Sequence, residues 1–119
     1  MRNLLFYGTT NYGRNLTNSD ILKFKELSNN FNNFVMTFGI KSEEINHSYV
    51  SISYIKKPKK IINQYLKFYI FNLKNLKNFC IDKNIQIISA KDPISGLIPI
   101  LFKKLYKKDI KIIIEHHGD

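Results

Sequence analysis

Cysteine is nearly absent from this chain: Cys80 is the only one in 119 residues. An internal disulfide is therefore excluded, and no Cys/His spacing of the kind that builds a zinc site is present. Arginine is almost as scarce. Arg2 and Arg14 are the only two among 19 cationic side chains, and the rest are Lys. Long hydrophobic runs are missing too. The apolar stretch at the N-terminus, MRNLLFYGTT, stops at Tyr7 and Gly8, and later stretches are broken by Lys and Asn. That is too short for the core of a signal peptide and far too short for a transmembrane helix, so a cytoplasmic protein is the expectation. The glycine-rich signatures of nucleotide binding are incomplete, with neither G-x-G-x-x-G nor the P-loop pattern present.

What is present has the composition of a folded domain: 44% hydrophobic and 24% charged residues, in a length suited to one domain spanning 1–119. The formal net charge is +10. Lys, Asn and Ile are all abundant and all use A/T-rich codons, so the charge has two readings. It reflects genome composition, or it serves attraction to an anionic surface.

The pattern along the chain alternates. Asn3 to Tyr7 reads as a buried strand closed by Gly8, and Gly8 to Asn18 as a loop rich in Gly, Thr and Asn. Asn18 or Ser19 then caps a helix to about Asn30, with Asp20 suited to its first turn. Strands follow at Phe34–Phe38 and Tyr49–Ile55, separated by a polar connection, Lys41–Asn46. After the turn KKPKK comes a long helix, about Lys59 to Lys83, with Ile62, Leu66, Tyr69, Leu73, Leu76 and Cys80 on its core-facing stripe. Ile85–Ala90 is a fourth strand. Asp92-Pro93 starts a helix to about Lys108 in which Pro99 should loosen the first turns, and Lys111–Glu115 is a fifth strand. This order predicts an α/β fold: an open, mainly parallel, Rossmann-like sheet of about five strands with helices on both faces.

Open sheets of this kind bind ligands outside the carboxyl ends of their strands. Three polar segments fall there. The first carries Gly13 and Arg14, which either cradle a phosphate or merely turn the chain. The second carries Asp92, a helix cap that could also meet a ligand hydroxyl. The third is EHHGD, where a His beyond an apolar strand can hydrogen-bond a hydroxyl or exchange a proton, or simply belong to a frayed end. His116 and His117 are neighbours on an extended chain and point to opposite faces, so they do not make a metal site. No cofactor is implied, Cys80 reads as core, and His47 has no assigned role. The basic, aromatic-rich segment Lys56–Lys77 either packs its apolar stripe on the sheet or lies against an anionic membrane. Its aromatics fall on core positions, which argues against nucleic acid.

Three segments, NLLFYGTTNYG, ISAKDPISGLIPILFKKLYKK and KIIIEHHGD, together resemble the N-terminal domain of GT-B-fold glycosyltransferases, most nearly the retaining family four. The resemblance runs in order along the whole chain and is carried chiefly by Asp92-Pro93 with Gly96 and by His117-Gly118-Asp119. It implies transfer of a sugar from a nucleotide-sugar donor to a sugar or lipid-linked acceptor hydroxyl, with this domain on the acceptor side. His117 then matches the position that meets the donor sugar near the reacting centre, Gly13 and Arg14 lie near the donor diphosphate, and Asp92, Gly118 and Asp119 line the site. In that family a second domain supplies most donor contacts. The resemblance therefore implies a chain cut short after the His-Gly-Asp motif, inactive alone, whose last strand is an open edge. A non-catalytic binding module of Rossmann-like or flavodoxin-like type, at the inner face of a membrane in one version, is the alternative.

Overall fold

The computed structural model describes residues 1–8, 12, 15–56, 75–90, 97–106 and 109–114. Its centre is the strand β1, Arg2–Tyr7, which pairs in parallel with β2, Phe31–Gly39, on one side and with β5, Ile87–Ala90, on the other. Beyond β2 lie β4, Ser51–Lys56, and then β3, Glu43–Asn46; beyond β5 lies β6, Lys111–Ile114. The order is β3-β4-β2-β1-β5-β6, and only the β3–β4 pair is antiparallel. The expected α/β fold with a mainly parallel sheet is therefore what the chain forms.

Among the described residues the sheet has six strands rather than about five. The extra one is β3, in the segment read as polar connection. Its sequence EEIN alternates half-buried and exposed residues, and only Ile45 is apolar. A charged edge strand carries little of the hydrophobic signal that announces a strand, because one of its faces and one of its edges meet water.

Helix α1, Asn18–Leu27, is capped by Thr17, one or two residues earlier than the sequence suggested: the Thr17 hydroxyl accepts from the Asp20 backbone N–H at 3.2 Å. It ends three residues early as well, because Asn29 and Asn30 turn the chain into β2, which begins at Phe31. The second helix, α2, is described over 75–82. Its close has the Schellman pattern: Asn84 adopts φ 51°, Ile85 N–H reaches the Cys80 carbonyl at 3.0 Å, and Asn84 N–H reaches that of Ile81 at 3.3 Å. Ile85 thus belongs to the helix end, and β5 starts two residues later. Helix α3 spans Leu97–Leu105. The expected helix starts at Lys59 and Asp92-Pro93 lie outside the described residues.

Side-chain alternation sorts the core into two layers. On one face Leu5, Tyr7, Met36 and Ile88 meet Leu76 and Cys80 of α2 and Ile98 and Phe102 of α3. On the other, Val35, Ile52 and Tyr54 meet Phe24 of α1. Helices therefore cover both faces, and Cys80 is a fully buried core residue, as its place on the stripe predicts.

Candidate functional site

The chain leaves β1 toward β2 and leaves β5 toward β6, in opposite directions along the sheet. The carboxyl ends of β1 and β5 therefore flank the point where the strand order reverses, the usual place for a ligand crevice. Register sharpens this. Tyr7 pairs with Ala90, and Ala90 pairs with Ile114. One transverse row thus holds the last residues of three adjacent strands. With strands about 4.8 Å apart, the three exit points fall within roughly 10 Å.

Each exit leads to one of the sequence-predicted segments. Gly13 and Arg14 follow β1, Asp92 follows β5 by two positions, and His117, Gly118 and Asp119 follow β6 by three to five. All six lie outside the described residues; what the structure brings together is the strand ends that carry them. Among the described residues no cluster of His, Cys, Asp and Glu could hold a metal ion, and no helix is long and apolar enough to cross a membrane.

The loop after β1 is held at several points that the sequence did not advertise. Gly8 N–H extends the ladder to the Met36 carbonyl at 3.4 Å. Tyr12, next to Gly13, accepts at its carbonyl from the Tyr54 hydroxyl at 2.9 Å, and its ring lies 6.0 Å from that of Phe24. Tyr54 stands on β4, and its ring base packs over Gly39 at the end of β2. A Cβ on Gly39 would come within 2.8 Å of the Tyr54 Cβ, so any side chain there displaces the tyrosine. Gly39 was legible as the end of a strand; the Tyr54 strut was not, because a contact 42 residues apart leaves no local pattern.

The amino-terminal ends of the strands present a second polar surface. A cavity of about 500 Å³ there is lined by Arg2, Gln86, Asp109 and Lys111 among others. These residues frame strand starts and helix ends, the side of an open α/β sheet that carries structure rather than ligands.

No family model matches the chain, and no curated protein matches it. Among solved structures, sucrose-phosphate synthase from Thermosynechococcus elongatus superposes with a TM-score of 0.70 at 10% identity, over 99% of this chain and 33% of that protein. The likeness shows a shared fold across essentially all of this chain, which spans about a third of that protein's length.

Proposed function

We propose that this chain is the acceptor-side portion of a GT-B glycosyltransferase, serving transfer of a sugar from a nucleotide-sugar donor to an acceptor hydroxyl. The observation that carries the reading is the Tyr7–Ala90–Ile114 row, which launches all three motif-bearing segments from adjacent strand ends at the switch point. The fold shared with an enzyme named for making sucrose phosphate supports it.

In this reading Gly13 lets the backbone approach the donor diphosphate, and Arg14 supplies the compensating cation. His117 hydrogen-bonds the donor sugar beside the reacting carbon. Asp92, Gly118 and Asp119 supply further contacts to substrate hydroxyls. A separate domain completes the donor site, so the chain alone binds without turning over. It works in the cytoplasm. A lipid-linked acceptor would draw it to the inner membrane face, where the surplus of Lys favours anionic lipid.

The test is an amide NMR titration of the chain with uridine, guanosine and adenosine diphosphate hexoses. Shifts at Gly8, Gly13 and Ala90 that weaken in His117→Ala are the expected result. Shifts confined to Arg2, Gln86 and Lys111 at the other end of the strands, or none at millimolar ligand, overturn the reading.

A further inference from the structure

Strands β2 and β4 extend past the row that carries the motif segments. Met36 stands beside Tyr7 in that row, and β2 continues to Gly39, which pairs with Lys56 at the end of β4. At about 3.3 Å per residue, this side of the sheet rises roughly 10 Å beyond the row. The turn 40–42 tops it and leads into β3. Ser42 fastens the turn to β4: its hydroxyl accepts from the Lys56 backbone N–H at 3.1 Å.

Ile40, in this turn, is 96% exposed, more than any other large apolar side chain among the described residues. Single apolar side chains on a surface are common and need no partner. This one differs in its company. Lys41 follows it, and Lys56 stands across from Gly39. The sequence then continues Lys57-Pro58-Lys59-Lys60. Those four lie outside the described residues, but bond lengths alone keep them within roughly 14 Å of Lys56. Two acidic side chains, Glu43 and Glu44, open β3, and each is already matched, by Lys41 at 3.7 Å and by Lys83 at 3.2 Å. The lysines from 56 to 60 are surplus to both pairs.

An exposed aliphatic side chain amid lysines, on a raised edge of a chain with net charge +10, matches an anionic bilayer. The lysines approach the headgroup charge while the isoleucine leaves water among the headgroups. Neither contribution is large alone; apolar insertion and a basic cluster anchor a protein in combination. A second copy of the chain would bring like charge to like charge. A nucleic acid gains from stacking on an exposed aromatic ring, and isoleucine offers none. We propose that the 40–42 turn, with Lys56, Lys57, Lys59 and Lys60, docks this domain on a membrane surface rich in anionic lipid, Ile40 entering the headgroup layer. In this pose the carboxyl ends of β1, β5 and β6 face the bilayer from one step back, open to an acceptor held in the lipid. The inference rests on the membrane contact in the reading above and extends it to named residues.

The test is co-flotation of the whole chain with vesicles of phosphatidylcholine alone and with vesicles in which about a third is phosphatidylglycerol. Binding should be about tenfold or more stronger to the anionic vesicles and should fall as salt rises. Ile40→Ser, at a side chain with little packing to lose, should weaken it about tenfold. Changing Lys57, Lys59 and Lys60 together to Gln should weaken it about a hundredfold. Ile81→Ser, at an isoleucine 62% exposed on α2 near the amino-terminal ends of the strands, should leave it unchanged. The chain has no Trp, so Ile40→Trp is a single fluorophore. Its emission should shift to the blue on anionic vesicles and be quenched by brominated lipid. Equal partitioning to the two kinds of vesicle overturns the proposal. So does anionic binding undiminished in Ile40→Ser, an Ile40→Trp emission that stays that of water, or an equal loss in Ile81→Ser. The vesicles carry no sugar, so the nucleotide-sugar titration judges the transferase reading separately.

Discussion

The side chain of Asn3, in the first strand, caps the end of a helix 80 residues later: its Nδ2 donates to the Lys83 carbonyl at 2.7 Å. The same amide nitrogen reaches the Asn84 carbonyl at 3.1 Å, and Asn3 Oδ1 accepts from Asn32 Nδ2 at 2.8 Å. Helix ends leave carbonyls without intrahelical partners, and here β1 supplies the donor. Asn3→Ala should cost about 0.5–1.5 kcal/mol, the net value of a hydrogen bond whose carbonyl water can still reach. Asn3→Asp should cost at least as much near neutral pH, since a carboxylate replaces the donor at the negative end of a helix. Urea midpoints compared at constant m-value check both.

Asn84 is the second element of the same closure. At φ 51° it occupies the left-handed region, which Asn tolerates and Gly enters without strain. Asn84→Gly should change stability by no more than a few tenths of a kcal/mol, while Asn84→Ala should lose about 1 kcal/mol. The ordering Gly ≈ Asn > Ala in thermal midpoint is the measurement. An alanine variant as stable as the parent would mean that the turn relaxes out of this conformation.

Lys83 is gripped at its other end too. Its ammonium lies 3.2 Å from Oε1 of Glu44 on β3, and the Ser51 hydroxyl donates to the same oxygen at 3.0 Å. The Ser51 bond first, and Lys83 second, hold the Glu44 carboxyl below its ordinary value, against a smaller opposing effect of burial. A group with a lowered folded pKa stabilises the protein above its unfolded pKa and loses that contribution as pH falls through the folded value. Glu44→Gln should therefore cost about 0.2–1 kcal/mol at neutral pH and low salt, as exposed pairs do. The difference should vanish in acid, and shrink in high salt. A gap that persists at low pH would assign the effect to packing.

Much of the fold was legible in the sequence, and the reasons are local. The apolar runs at Asn3–Tyr7 and Ile85–Ala90, the helical stripe ending at Cys80 and the final KIII each carry their own periodicity. Strand β3 escaped because edge strands shed the hydrophobic signal. Thr17 escaped because Asn18 and Ser19 are equally good caps in isolation, and only tertiary entry geometry chooses among three adjacent candidates. The site was legible as topology: alternation alone predicts that the three polar segments share a rim, and the Tyr7–Ala90–Ile114 register bears that out for the strand ends. What props the first segment was not legible, since Tyr54 acts through a contact between elements distant in sequence.

Tyr54 offers the clearest way to separate the scaffold from the loop it carries. Its ring is buried, 6% exposed, and its hydroxyl holds the Tyr12 carbonyl at 2.9 Å. Tyr54→Phe keeps the ring over Gly39 and removes that bond. Global stability should fall by about 0.5–1.5 kcal/mol, the ordinary net value of one hydrogen bond. Amide exchange should quicken selectively between Tyr12 and Thr17, with the β1 and β5 amides unchanged. Gly39→Ala acts from beneath: a Cβ 2.8 Å from the Tyr54 Cβ forces the tyrosine to shift, so the same loop amides should loosen while the hydroxyl is intact. The two changes meet at one contact, so the double variant should lose less than the sum of the singles. Additive losses would mean that Gly39 and Tyr54 support the loop independently.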